Sequence, residues 1–493
     1  QMRVLLIDPP MQSIMLARAD WFPMGLCYLA GSLKQAGHDC LVYNAEHNSD
    51  LDYQNLKTYS DNYHLYLEAL DDPSHDIWKT VASIISDFNP DVVGITAFSV
   101  KFESAKCIAK LAKDFDNTMP VIMGGQHATI MTNDVLDSPY IDFVVRGEGE
   151  KTIVEFIDQL EGDQNWGTVD GLSYKHNGQI IHNQNRELNK DIDSLPFPDR
   201  TALYDIENYE PDTLAKLFAS RGCPYKCTYC GTQNIWTNRV RFHSSERIVE
   251  EIKMVKQQFG ATFFTFFDDV FALNKNRTLE LTKKMVDADL NIRFDCLTRV
   301  NLLSDNLLIN MKKAGCVKID IGVESGSQRI LEDTIKDLTI EQIIDGAKLI
   351  KKHGIFLASF LMIGLPTENE EDINLTKKFL LELQPNWAHM SIFTPIPGTK
   401  IFNDLVEQGH IPEKTRYAEF SHQSPNTNFA VNMKNRDNFP ELAQNMLEFV
   451  QNYNGSYKNL LRRALTRGYH RNIKLLLWDI KKFASWKYGL RRE

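Results

Sequence analysis

The sequence predicts two consecutive α/β domains and a helical C-terminal region: a doubly wound parallel sheet first, then a partial (β/α)6 barrel. Three observations carry this. Short apolar runs alternate with helical patterns over residues 1–160, as strands do when helices cover both faces of a parallel sheet. A second series of strand–helix repeats, six in all, occupies residues 206–410. Between the two, residues 161–205 form a linker, and residues 411–493 are helical in pattern and end in a basic amphipathic tail.

In the first domain the expected strands are Val4–Asp8, Leu41–Asn44, Asp91–Phe98, Val121–Met123 and Phe143–Val145. Gly25 to Gln35 and Lys101 to Phe115 read as helices between them. Residues 46–80 interrupt the alternation with a polar and aromatic insertion, expected to be a lid or a small helical subdomain. In the linker, Asn177-Gly178 between alternating runs signals a hairpin, and Leu195-Pro196-Phe197-Pro198 suits a stiff junction. The barrel strands are expected at Ala215–Ser220, Thr262–Phe267, Arg293–Thr298, Val317–Val323, Leu357–Ile363 and Trp387–Thr394. In both architectures ligands sit at the carboxyl ends of the strands.

Composition narrows the class. The 493 residues are 43% hydrophobic and 24% charged, as in water-soluble globular proteins, and no apolar run is long enough for a membrane span. Met2-Arg3 runs directly into Val4–Ile7, so no signal peptide is expected. Eight cysteines, only three of them clustered, do not form a disulfide framework and point to a reducing cytoplasm. Residues 456–493 hold 11 Lys or Arg against 2 Asp or Glu, a net of +9 on a chain of −10. Ile473, Leu476, Leu477, Ile480, Phe483 and Ala484 fall on one helix face, so this end is expected to pack on the barrel or to lie on an anionic membrane. No nucleic-acid partner is expected.

The chemistry concentrates after the first barrel strand, in Arg221-Gly222-Cys223-Pro224-Tyr225-Lys226-Cys227-Thr228-Tyr229-Cys230. Thiolates suit iron–sulfur clusters, which ordinarily take four cysteine ligands. Three on one loop leave one iron open to a chelating ligand. Structural zinc is the competing chemistry, but it needs a closed set of four ligands, and the nearest candidate, His243, lies 13 residues beyond Cys230. Cys296 and Cys316, within or beside strands, read as core residues.

The spacing of Cys223, Cys227 and Cys230 resembles the radical S-adenosylmethionine (SAM) superfamily over about residues 205–410. The resemblance implies a 4Fe-4S cluster whose open iron chelates SAM. One-electron reduction then cleaves SAM to methionine and a 5′-deoxyadenosyl radical, so an electron donor such as flavodoxin or ferredoxin is implied. Tyr229 stands where the family places an aromatic residue near the adenine. Asp268 and Asp269 end the second strand, where the family holds the SAM amino group; a helix N-cap is the structural alternative. Glu324 and Ser325 match the ribose motif, and Arg299 is placed to meet the SAM carboxylate or to form a salt bridge. Gly364 and Pro397 lie in loops resembling those on the adenine side.

A second resemblance covers about residues 1–155, to the Rossmann-like cobalamin-binding domain of cobalamin-dependent radical SAM enzymes. It rests on Gly124-Gly125-Gln126-His127, on Thr96 and Ser99, on Met24-Gly25, and on Gly147-Glu148, all of which it implies as cobalamin contacts. One departure stands out: Asp72-Pro73-Ser74-His75 lacks the spacing of a D-x-H-x-x-G motif, so His75 is expected at the surface and cobalt is expected to lack a histidine from that motif. Together the resemblances imply a methyltransferase that uses methylcobalamin and acts on an unactivated carbon or on phosphorus of a small-molecule or lipid-linked substrate. A radical cyclase or rearrangement enzyme with the same cofactors is the alternative. A cobalamin sensor or carrier is the non-enzymatic one, and it would survive Cys227→Ala.

Overall fold

A computed structural model describes residues 1–412, 415–420 and 438–467, apart from Asp20 and Asn55. The amphipathic stretch 473–484 lies outside the described residues. The first sheet contains β1 (Arg3–Asp8), β2 (Asp39–Asn44), β3 (Val92–Thr96), β4 (Val121–Gly124), β5 (Phe143–Val145), β6 (Leu172–His176) and β7 (Gln179–His182), in the order β2-β1-β3-β4-β5-β6-β7. The first five are parallel. The strand order reverses between β1 and β3, so the crevice at their carboxyl ends is the natural ligand site. β6 and β7 add an antiparallel hairpin to the edge. Its Asn177 and Gly178 both have positive φ, 51° and 76°, as the twist-matched two-residue turn requires.

The second series is β8 (Lys216–Leu217), β9 (Ser220–Arg221), β10 (Arg241–Phe242), β11 (Phe263–Phe266), β12 (Arg293–Thr298), β13 (Cys316–Glu324), β14 (Phe356–Ile363) and β15 (Trp387–Ile392). Six of these form one parallel sheet, β15-β14-β13-β12-β11-β8, the partial barrel. The first barrel strand is broken where the sequence suggested a continuous run from Ala215 to Ser220. β8 pairs with β11, whereas Ser220 and Arg221 turn to pair with β10. The cause is a side chain: Asp268 accepts the Ala219 amide at 2.9 Å and the Ser220 hydroxyl, replacing strand partners there.

Alternation along each barrel strand separates two environments. Phe264, Phe266, Phe294, Cys296, Ile319, Ile321, Val323, Leu357 and Ile363 face outward, fully buried under the helices. Cys296 and Cys316 belong to this core. A second apolar core joins the two domains: Ile7, Ile95 and Met123 of the first sheet share it with Met362, Leu365, Phe393 and Phe402 of the barrel. The insertion belongs to that core. Its helix Tyr63–Asp71 buries Tyr63 and Tyr66, and the Tyr63 hydroxyl donates to the Ala418 carbonyl. It is a helical brace built into the junction, not a separate lid. Among the described residues no helix is long and apolar enough to cross a membrane.

Candidate functional site

The cysteine loop leaves β9 through Gly222, at φ 101°, where a Cβ would lie 2.3 Å from the Arg239 carbonyl oxygen; only glycine fits. The three thiols are half-buried. Burial pushes Cys223 up to about 11, with the negative charge of Asp269 and the two neighbouring thiols adding to it. Cys230 Sγ lies 3.4 Å from Thr232 Oγ1, which in turn donates to Asp269 Oδ1 at 3.0 Å. Among the described residues no three His, Cys, Asp or Glu side chains converge on one point as a single metal ion demands. The Cys223, Cys227 and Cys230 thiols are near enough to influence one another electrostatically.

The acidic pair divides. Asp268 is committed to the fold through Ala219 and Ser220, and burial pushes it up to about 6. Asp269 uses one oxygen for Thr232, and its buried Oδ2 has no partner among the described residues. Arg299 lies with its guanidinium carbon 3.6 Å from the centroid of the Tyr225 ring, inside the cysteine loop. Its Nη2 donates to the carbonyls of Lys336 and Asp337 at 2.6 and 2.8 Å, and its buried Nε has no partner among the described residues. An orphaned acceptor and an orphaned donor beside the thiols match the amino and carboxylate groups of a bound amino acid.

Glu324 sits at the end of β13 with φ 64° and accepts from Lys336 Nζ at 2.7 Å; Lys336 Nζ also reaches the Tyr229 hydroxyl at 3.2 Å. Sequence reasoning missed Lys336. It is 7% exposed, and its neighbours Ile335 and Asp337 both have positive φ, so the backbone is bent to present it. Exchanging Lys336 for Met should raise the Kd for SAM about tenfold, the scale of one charge-assisted hydrogen-bond network. Anaerobic calorimetry on the cluster-loaded protein checks this, and an unchanged Kd would make Lys336 purely structural. Ser325 is fully buried and bonds Thr376 Oγ1 at 3.2 Å, tying the loop to helix Glu370–Leu383. Gly364, at φ 91°, packs under Phe439, where a Cβ would lie 2.5 Å from the ring. The Pro397 carbonyl accepts from Asn234 at 3.3 Å, beyond the cysteine loop.

In the first domain Gly125 has φ 90° and lies against β3, where a Cβ would meet Thr96 Oγ1 at 2.6 Å. Gly124 has ordinary room around it. Gln126 reaches across the junction: a Cβ on Gly231, next to Cys230, would lie 2.1 Å from Gln126 Nε2. His127 is fully buried between Phe102 and Tyr417; its Nδ1 meets Ser99 Oγ at 3.0 Å, and burial lowers it to about 3. Gly147 donates its amide to Thr129 Oγ1 at 3.0 Å. Met24 is buried at the start of helix Met24–Gln35, and the space around Gly25 is open. Glu148 spans the junction, accepting Arg221 at 3.0 Å and Arg241 at 2.8 Å, while Arg221 also meets Glu150 at 2.6 Å. His75 caps helix Asp76–Phe88, its ring accepting the Ile77 amide. At the crevice between β1 and β3 lies a buried triad that the motifs did not announce: Lys101 bonds Asp8 and Glu46, each at 2.8 Å.

Residues 15–157 match the B12 binding domain and residues 217–380 the Radical SAM superfamily. An uncharacterized methyltransferase of Pyrococcus horikoshii is 33% identical over 82% of this chain and 83% of its own. This chain belongs to the cobalamin-dependent radical SAM enzymes. Its cofactors are a 4Fe-4S cluster, SAM and cobalamin. An anaerobic magnesium-protoporphyrin IX monomethyl ester cyclase of Cereibacter sphaeroides is 28% identical over 80% of this radical SAM enzyme and 62% of its own length. In fold this chain is similar to the radical SAM methyltransferase TsrM from Kitasatospora setae, with a TM-score of 0.64, 16% identity, and 83% of this chain and 76% of that one covered. The side chains at the barrel mouth fit the implied groups: three free thiols on one loop for the cluster, with Asp269 Oδ2 and Arg299 Nε for the amino-acid end of SAM.

Proposed function

We propose that this enzyme transfers a methyl group from cobalamin to an unactivated carbon or phosphorus of a small-molecule substrate. The observation that carries this reading is the close approach of Gln126, in the Gly-Gly loop of the first domain, to Gly231 beside Cys230. The two candidate cofactor sites thereby share a wall, as a reaction that uses both at one substrate atom needs. When bound, cluster and SAM supply a hydrogen-abstracting radical and cobalamin supplies a transferable methyl group.

The protein's part is to hold and to exclude. Asp269 Oδ2 would accept the SAM amino group, and Arg299 Nε would donate to its carboxylate. Glu324, held by Lys336, would accept from the ribose hydroxyls. Cys223, Cys227 and Cys230 would ligate the cluster. Gly125 and Gln126 would line the cobalamin face. The shared apolar core, with Met362 and Phe393 at the barrel end, would keep water from the space between the sites.

Anaerobic reconstitution tests the reading. The expected result is an iron–sulfur band, cob(III)alamin absorbance, and 5′-deoxyadenosine formed from SAM with dithionite. A protein that holds an intact cluster and cobalamin yet never cleaves SAM overturns it. Similarity to the cyclase supports a second reading, oxidative ring closure. Product mass separates the two, since methylation adds one CH2. A flavodoxin or ferredoxin would serve as electron donor. Association with anionic membrane through the tail predicts liposome co-sedimentation that is lost on deleting 456–493.

A further inference from the structure

Interiors of (β/α) barrels are ordinarily filled with layers of Val, Ile and Leu. This one is not. The inward positions, alternating with the buried outward ones, include the apolar Leu297, Ala358 and Met362 but also Lys216, Thr265, Asp295, Lys318, Asp320, Phe360 and His389. Lys216, Thr265, Lys318, Phe360 and His389 are partly exposed, whereas their outward neighbours Leu217, Phe264, Ile319, Leu357 and Ala388 are sealed. The inward side is therefore less completely sealed than the outward one, and it is polar at its inner end.

The polar groups are organised. Lys318 Nζ lies 3.2 Å from Asp295 Oδ2 and 2.8 Å from Asp320 Oδ2. The remaining oxygens, Asp295 Oδ1 and Asp320 Oδ1, are buried and have no partner among the described residues; the two side chains are 7% and 8% exposed. A buried acceptor without a donor is costly, so these two atoms are complementary to something that brings donors. The facing wall is aromatic: His389 stacks on Phe360 at 4.6 Å and 15°, with Trp387 edge-on to His389 at 6.2 Å.

The inner layer lies below the barrel mouth, beneath the Lys336–Glu324 ion pair. On β13 the inward positions run Lys318, Asp320, Gly322, and a bulge follows before Glu324; measured along the partner strand from Ala358 to Leu361, Asp320 lies about 10 Å below Glu324 at ~3.3 Å per residue. The position between them is a glycine, where a Cβ would crowd Glu324 Oε1 at 2.6 Å and Lys336 Nζ at 2.8 Å.

We propose that this inner lumen is the substrate-recognition pocket, built for an elongated substrate with an apolar body against Phe360, Trp387 and His389 and a far end that donates hydrogen bonds, an amine or a hydroxyl, to Asp295 and Asp320. That the ligand is the substrate rests on the proposed function; binding itself is independent of SAM cleavage. Lys216 and Lys318 balance the two carboxylates in charge, so the pocket selects donors over acceptors and rejects an anionic end.

The test uses the cofactor-reconstituted enzyme and three probes of equal length, octylamine, octanol and octanoate, read by tryptophan emission, with Trp387→Phe assigning the signal to the pocket. Octylamine or octanol should saturate the change, and octanoate should bind at least tenfold more weakly. Asp320→Asn, which keeps an acceptor and removes the charge, should weaken octylamine at least tenfold and octanol little. Asp320→Leu should abolish both, and if it fails to fold, Asp320→Asn still decides. Three results overturn the proposal: octanoate binding as tightly as the donors, no saturable binding by any probe, or Asp320→Asn lowering Tm with both affinities unchanged, the mark of a structural ion triad. Probe binding without SAM cleavage would sink the proposed function and leave this pocket standing.

Discussion

Asp269→Asn should weaken SAM binding about 10–100-fold, the range of a hydrogen bond to a charged group, while Asp268→Asn should leave it within a few-fold. The residues are adjacent and chemically identical; their surroundings separate them. Both oxygens of Asp268 are used, by the Ala219 amide and the Ser220 hydroxyl, and the side chain is 3% exposed. Asp269 Oδ2, beside the thiols, has no partner among the described residues. The Asp268 variant should instead change the pH dependence of stability. Burial raises its carboxyl from 3.8 to about 6, so the folded state prefers the protonated form. Its contribution is therefore most favourable below the unfolded value and declines as pH rises from about 4 to about 6, by about 3 kcal/mol in all. That decline should be present in wild type and missing in Asp268→Asn, measured by urea unfolding across the window. Calorimetry with SAM checks the other half. If Asp268→Asn weakens SAM as severely as Asp269→Asn, the division of roles fails.

The division was beyond the sequence for a physical reason. A strand end followed by two aspartates says that carboxylates gather at a barrel mouth; which oxygen remains unpaired depends on where β9 turns, and that turn is itself made by Asp268. The strands were legible because each is an apolar run with turn residues after it, as in Val121–Gly124 ending at Gly125. The cysteine triad was legible because its chemistry is carried by local spacing. Lys336 was not, because nothing in Thr334-Ile335-Lys336-Asp337 signals that two left-handed residues will aim a lysine at Glu324 and Tyr229. The charged lumen was half legible: the strand patterns contained Lys318 and Asp320, but a period-two pattern does not say which face is covered by helices and which by a ligand.

Arg221→Met should destabilise the protein by about 3–5 kcal/mol, because it strands buried carboxylates at the joint between the domains. Arg221 and its partners Glu148 and Glu150 have side-chain exposures of only 5%, 8% and 9%. The two glutamates are not equivalent after the change. Glu148 retains Arg241 at 2.8 Å, whereas Glu150 loses the only ion-pair partner it has among the described residues. Adding Glu150→Gln to Arg221→Met should therefore recover part of the loss, and Glu148→Gln should recover less, since it strips Arg241 in turn. Denaturant unfolding of wild type, the three single variants and the two double variants reads this directly; additive losses would show that the residues act independently. The joint also carries the chemistry. Arg221 stands two positions before Cys223, and Glu148 follows the strand end β5 in the first domain, so this ion pair fixes the cysteine loop relative to the Gly124-Gly125 face. Loosening it should leave the thiols able to hold a cluster while widening the gap between the sites. The expected signature is 5′-deoxyadenosine formed in growing excess over product, rather than a proportional loss of both.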